Sequence, residues 1–165
     1  MVKALTVWQP WADLIVRGLK PVEFRNRRTH HRGWLAIHAG RHRDLKTEAL
    51  YMRAVYRLAP FLEAELGSVR KYLEGLPRGT IVGAARLFDC QPAEALGGLL
   101  SRRPSWEATC GAGLEFPGYG WVLKEPVLAP FWLLGVGGRQ CLWDLRCDHE
   151  ELVDDWILAA DEDRA

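Results

Sequence analysis

The chain has 165 residues, 48% of them hydrophobic and 26% charged, with a formal net charge of +1 at pH 7. That is an ordinary globular composition with enough chain for a real core. No apolar run approaches the roughly 18 residues that a membrane helix needs. The charge is unevenly spread: Arg17 to Lys46 carries nine Lys/Arg against two acids, whereas Asp148 to Ala165 carries eight acids against one arginine. The first block suits a polyanion partner, or is simply a solvated face, and the acidic tail would repel or shield.

In chain order, residues 3–8 read as a first strand. A helix opens at Pro10, where a missing N–H is harmless, and Trp11, Leu14 and Ile15 share one apolar face. Gly18 stops it. A strand follows over 22–27, on which period two puts Glu23 and Arg25 on one face and Val22 and Phe24 on the other. The loop Asn26 to Arg32 is basic and rich in histidine. Residues 33–39 form a nearly continuous apolar strand, expected to be buried on both faces and ended by Gly40. Asp44 caps a helix whose Leu45, Ala49, Met52 and Tyr56 keep helical spacing as far as Pro60. A second helix, with Leu62, Leu66, Val69, Leu73 and Leu76 on one face, ends at Gly75 and Pro77. The pair reads as a helical insertion over about 44–76.

Thr80 to Cys90 is a long strand. Residues 91–118 are a polar excursion with one helical turn near Pro92 to Leu96, long enough to suggest a functional loop. Strands follow over 119–124 and 127–134, the second interrupted by Pro130. Gly135 to Gly138 is a tight turn, not a phosphate loop, because it precedes no helix and lacks the lysine. Residues 140–145 close the sheet. Asp148 caps a last helix with Leu152, Val153, Trp156 and Ile157 on one face, Trp156 anchoring it. The organisation is one domain over 1–147 and an acidic helix or tail over 148–165. The start runs straight into a strand, so no signal peptide is expected, and four cysteines without C-x-x-C spacing suit reduced thiols in a cytoplasmic protein.

The chemistry gathers around the first helix. Lys20, Glu23 and Arg25 read either as a polar cleft or as an ion-pair cluster bracing helix against strand. In a cleft the cations contact phosphate or base edges and the glutamate accepts from base amino groups. Trp8 stacks on a base or packs in the core; Trp11 fits the core. Gln9 reads a base edge or caps the helix. Arg27 and Arg28 belong to the basic loop, His38 lines the cleft, and Arg139 reaches a phosphate. His38 and His42 have the spacing of a metal pair on a helix, but Gly40 and the preceding strand argue against one, so no metal and no cofactor are expected. No nucleophile elbow or Ser-His-Asp arrangement appears.

Gly18-x-Lys20-x-x-Glu23-x-Arg25, preceded by Gln9-Pro10-Trp11-Ala12, resembles the signature of the ASCH domain family of the PUA-like superfamily. Residues 33–39 resemble that family's next strand, and Gly120-Trp121 and Gly138 to Trp143 its last two, with Cys141 where glycine is more usual. The resemblance covers about residues 3–40, 77–90 and 118–146. It implies an α+β fold, a small PUA-like β-barrel with flanking helices and a helical insertion.

The resemblance also implies a module binding RNA or a modified nucleobase, gripped by stacking and edge hydrogen bonds. Some small family members are amidohydrolases that deacylate a modified cytidine through Lys-x-x-Thr-x-Arg. Here Glu23 stands at the threonine position, so Lys20 and Glu23 are catalytic only if a carboxylate activates water instead. Ribonuclease activity is a further implied alternative, with Lys20 and Tyr119. A third is a protein–protein adaptor, as in relatives within transcriptional coactivators. The expected partner is nucleic acid, with a protein partner as the alternative and no membrane.

Overall fold

The structure, a computed structural model, describes residues 2–41, 45–110 and 118–164, with side chains throughout except at 45–54. The expected cap at Asp44, the face of Leu45, Ala49 and Met52, and His42 lie outside that description.

Six strands form one curled sheet: β1 (Lys3–Val7), β2 (Val22–Arg25), β3 (Gly33–Ala39), β4 (Thr80–Pro92), β5 (Tyr119–Leu134) and β6 (Leu142–Asp144). Their order is β2-β5-β4-β3-β1-β6. Only β1 and β3 run parallel; every other pairing is antiparallel. The parallel pair follows from the crossover that joins them, in which α1 (Trp11–Val16) covers the concave face. Leu5, Val7, Leu35, Ile37, Ala85 and Leu87 point at α1 and bury Ile15 and Val16 with it. The helix ends as its sequence predicts, with Gly18 at φ +74°, a conformation that costs glycine little.

The outer face alternates with the inner one. Ala4, Ala36 and Ala84 point outward and lie under α6 (Cys147–Glu162), whose Val153, Trp156 and Ile157 fill the space above them. Three alanines in neighbouring strands let that helix approach closely. Trp156 also meets Phe131 edge to face at 5.4 Å, the anchoring expected of it.

Three elements differ from the sequence reading. Pro60 does not divide two helices: α2 runs unbroken over Leu45–Leu66, and Gly67 with φ +78° ends it before α3 (Val69–Gly75). The missing N–H at Pro60 removes one bond within the helix, and burial of Val55, Leu58 and Leu62 on either side keeps it whole. Tyr56, expected on the apolar face, is exposed instead. The excursion after β4 holds more helix than expected: a 3-10 turn Ala93–Leu96, then α4 (Gly97–Leu100) and α5 (Pro104–Cys110). β5 is one strand rather than two, because its irregularities are absorbed as bulges against β4.

Candidate functional site

Lys20, Glu23 and Arg25 come together, and they do so by pairing with one another. Glu23 lies between the cations: Lys20 Nζ donates to Oε2 at 2.9 Å, and Arg25 Nε meets Oε1 at 3.1 Å. Lys20 also donates to the Val22 carbonyl and is only 5% exposed. Burial alone would raise the Glu23 pKa, but the two adjacent cations and their hydrogen bonds outweigh it and hold the carboxyl below its ordinary value of 4.5. Glu23 is therefore an ionised acceptor at neutral pH. The geometry has the form of the bracing cluster that the sequence left open beside the cleft.

Arg25 extends this strut across the sheet. Its Nη2 donates to the Thr6 carbonyl at 2.6 Å. β2 and β1 are not neighbours in the ladder, so this bond links the β2 edge to the other side of the curled sheet. It falls where β6 has run out, since the β1–β6 register ends at Leu5 opposite Leu142. Thr6 is the junction that sequence reasoning missed. Its hydroxyl accepts from Trp143 Nε1 at 3.2 Å, and a Cβ at Gly138 would stand 2.9 Å from that hydroxyl. Nothing in the residue type marks Thr6; the available signal was its position two after Ala4 on the outer face of β1.

The other predicted residues fall into two groups. Trp8 is 37% exposed just beyond Thr6, with Gly40 against its ring. Arg27 and Arg28 are exposed where β2 runs into the basic loop, and the Arg27 carbonyl accepts from Trp121 Nε1. Arg139 is exposed on the glycine turn and lines a cavity of about 240 Å³ with Trp143, Arg146 and His149.

By contrast, Gln9 is 2% exposed and committed at both ends. Its Oε1 accepts from the Asp13 N–H at 3.0 Å and its Nε2 donates to the Pro77 carbonyl at 3.0 Å. It is the helix cap of the two roles the sequence allowed, because burial leaves no polar atom over for a ligand.

His38 is 1% exposed rather than lining an open cleft. It sits beneath the glycine turn, where a Cβ at Gly138 would be 2.5 Å from Nδ1, so that position requires glycine. Nε2 lies 3.0 Å from the Val136 carbonyl, which assigns the proton to Nε2 and leaves Nδ1 as an acceptor. Nδ1 finds no hydrogen-bond partner among the described residues. Burial lowers the His38 pKa; the Val136 bond opposes this and Arg41 adds to it, so the ring is neutral at pH 7.

Among the described residues, no helix is long and apolar enough to cross a membrane. The model of the ASCH domain matches residues 5–118. Two curated relatives, both called activating signal cointegrator 1, from Homo sapiens and Mus musculus, are each 38% identical over 86 residues. The match takes in 52% of this chain and 14% of theirs, so the chain corresponds to a small part of those proteins. The fold is similar to crystal structures of ASCH from Zymomonas mobilis. The unmutated protein superposes with a TM-score of 0.53 at 16% identity, covering 93% of each chain. A tyrosine-to-phenylalanine mutant of that protein gives a TM-score of 0.53 at 18% identity, covering 92% of this chain and 96% of that one. The domain match takes in the strut, its junction with Thr6 and the exposed Trp8, and on that match the chain belongs to the ASCH domain family.

Proposed function

We propose that the chain is a nucleic-acid-binding module that takes an unstacked base of RNA, or a modified nucleobase, at the rim formed by Trp8 and the Lys20–Glu23–Arg25 strut. The observation that carries this reading is an exposed indole, Trp8, two residues beyond the Thr6 carbonyl that Arg25 of the strut holds, together with a carboxylate kept ionised by two cations. Each Glu23 oxygen holds one cation and has a further lone pair for a base amino group, while Trp8 offers a face for stacking. Arg27 and Arg28 supply charge along the approach. Lys20 contributes by fixing Glu23 rather than by touching phosphate, because its donors are turned inward.

A hydrolytic reading asks Glu23 to take a proton from water, but each of its oxygens already faces a cation, Lys20 at 2.9 Å and Arg25 at 3.1 Å, and the carboxyl is held below its ordinary range. Binding is therefore the better-supported role.

The test is fluorescence anisotropy with labelled short RNAs and competition by modified nucleosides. Trp8→Ala should weaken binding about tenfold, the size of one lost stacking contact, while leaving the urea midpoint unchanged. Wild-type affinity in that variant, or no binding of any RNA or nucleoside by the wild type, overturns the proposal.

A further inference from the structure

We infer that the outer sheet face between α6 and the α4–α5 segment is a second nucleic-acid surface, one that lays a single strand across β3, β4 and β5. It rests on the nucleic-acid reading above but uses none of the same residues.

The observation is a row in register. Trp34 on β3 pairs with Arg86 on β4, and Arg86 pairs with Lys124 on β5. All three share the outward parity of Ala36 and Ala84, the positions α6 covers. Trp34 is half-buried against the cluster under α6, and Arg164, just past the helix end, donates to the Pro126 carbonyl, while Arg86 and Lys124 remain exposed. On the other flank, Val22 and Val122 are covered by Leu96, Leu100 and Cys110. Arg86 and Lys124 lie exposed between the two covers.

A bulge adds the aromatic platform. The β4–β5 register slips between Leu87 and Asp89, and Phe88, the extra residue, is turned outward and is 53% exposed. Lys124 Nζ stands 3.3 Å from the Phe88 ring centroid. Lys124 has no carboxylate partner among the described ion pairs, so the aromatic face holds its charge in place. Arg86 is held toward this face by Glu125, at 3.3 Å from both carboxylate oxygens. Glu125 has φ +51°, a costly conformation for a residue with a side chain, in the irregularity of β5 just after Lys124, from which its carboxylate reaches Arg86.

Aromatic faces at either end of a pair of cations fit a single strand. Bases stack on the rings, and the cations meet the phosphates. A duplex hides its base faces and offers this surface only charge. Lys124 leaves the Phe88 ring for a phosphate as a base takes its place.

The experiment is anisotropy of fluorescein-labelled four- and twelve-nucleotide oligouridylates and an RNA duplex, over a salt series, with the full chain. Phe88→Ala should weaken the twelve-nucleotide strand about tenfold and leave the four-nucleotide strand and the duplex unchanged. Lys124→Ala should lower the slope of log affinity against log salt by about 0.7, the share of one phosphate contact on a single strand. Both side chains are exposed, so their circular dichroism should match the wild type. Ultraviolet cross-linking should place uridine on the tryptic peptide containing Phe88. If the wild type binds and Trp8→Ala weakens it while Phe88→Ala and Lys124→Ala do not, the second surface is wrong and the rim stands. If the duplex binds as tightly as the strand, the stacking platform is wrong. If the wild type binds no strand at all, both readings fall together.

Discussion

Glu23 carries the clearest consequence at the scale of a single residue. Its carboxyl is the one anion between two cations, and one of them, Lys20, is buried. Glu23→Gln removes the charge and leaves that ammonium without its counter-charge, which should cost about 3 kcal/mol at neutral pH by urea unfolding. The pH dependence has a fixed sign. A carboxyl whose folded pKa is lowered stabilises the fold above its unfolded value and loses that contribution as pH falls through the folded one. The difference between wild type and Glu23→Gln should therefore be constant from pH 6 to 8 and shrink below the ordinary value of 4.5. A difference that persists undiminished in acid would mean the carboxylate charge is not what stabilises the strut. Period two in the sequence put Glu23 and Arg25 on one face, and that much was legible. That Arg25 reaches Thr6 was not, because the two meet only when the sheet curls, and no local pattern encodes the curl. Gln9 shows the opposite limit: its residue type allowed a cap or a base contact equally, and burial decided between them.

Among the elements, β3 and α1 were legible nearly to the residue. A continuous apolar run has one buried solution, and Gly18 permits a backbone turn that other residues resist. α2 was not, because Pro60 is a local stop signal overridden by tertiary packing of Val55, Leu58 and Leu62 on both sides of it. The cost of the override should be measurable. Pro60 is exposed, so Pro60→Ala restores an N–H to the helix without disturbing the core, and should stabilise the protein by about 2 kcal/mol in urea unfolding. An unchanged midpoint would mean that the helix has adapted fully around the ring. The α4–α5 segment escaped the sequence reading for a different reason: helices of four and seven residues are too short to show a period.

For the whole molecule, the sheet depends on closures of two kinds. On the outer face the cover is hydrophobic, since α6 lies on a stripe of alanines through Trp156. Trp156→Ala should cost about 3–5 kcal/mol and expose that stripe, read as a lower urea midpoint. Between the β2 edge and β1 the closure is polar and rests on Arg25 and the Thr6 carbonyl. The family fold was legible only through the resemblance of Gly18-x-Lys20-x-x-Glu23-x-Arg25, with the strands that follow, to the ASCH signature. The way the sheet is joined was not, because it depends on where β6 stops. Among the described residues the join is made by one guanidinium with no amide ladder behind it, a clasp that can undo without melting the strands it holds. In Arg25→Lys, backbone amides of Val7 and Trp8 should exchange hydrogen faster while those of Ile37 and Ala85 keep wild-type protection. Such a clasp would let the rim breathe independently of the core, so that softness at the mouth and rigidity beneath it coexist in one small domain.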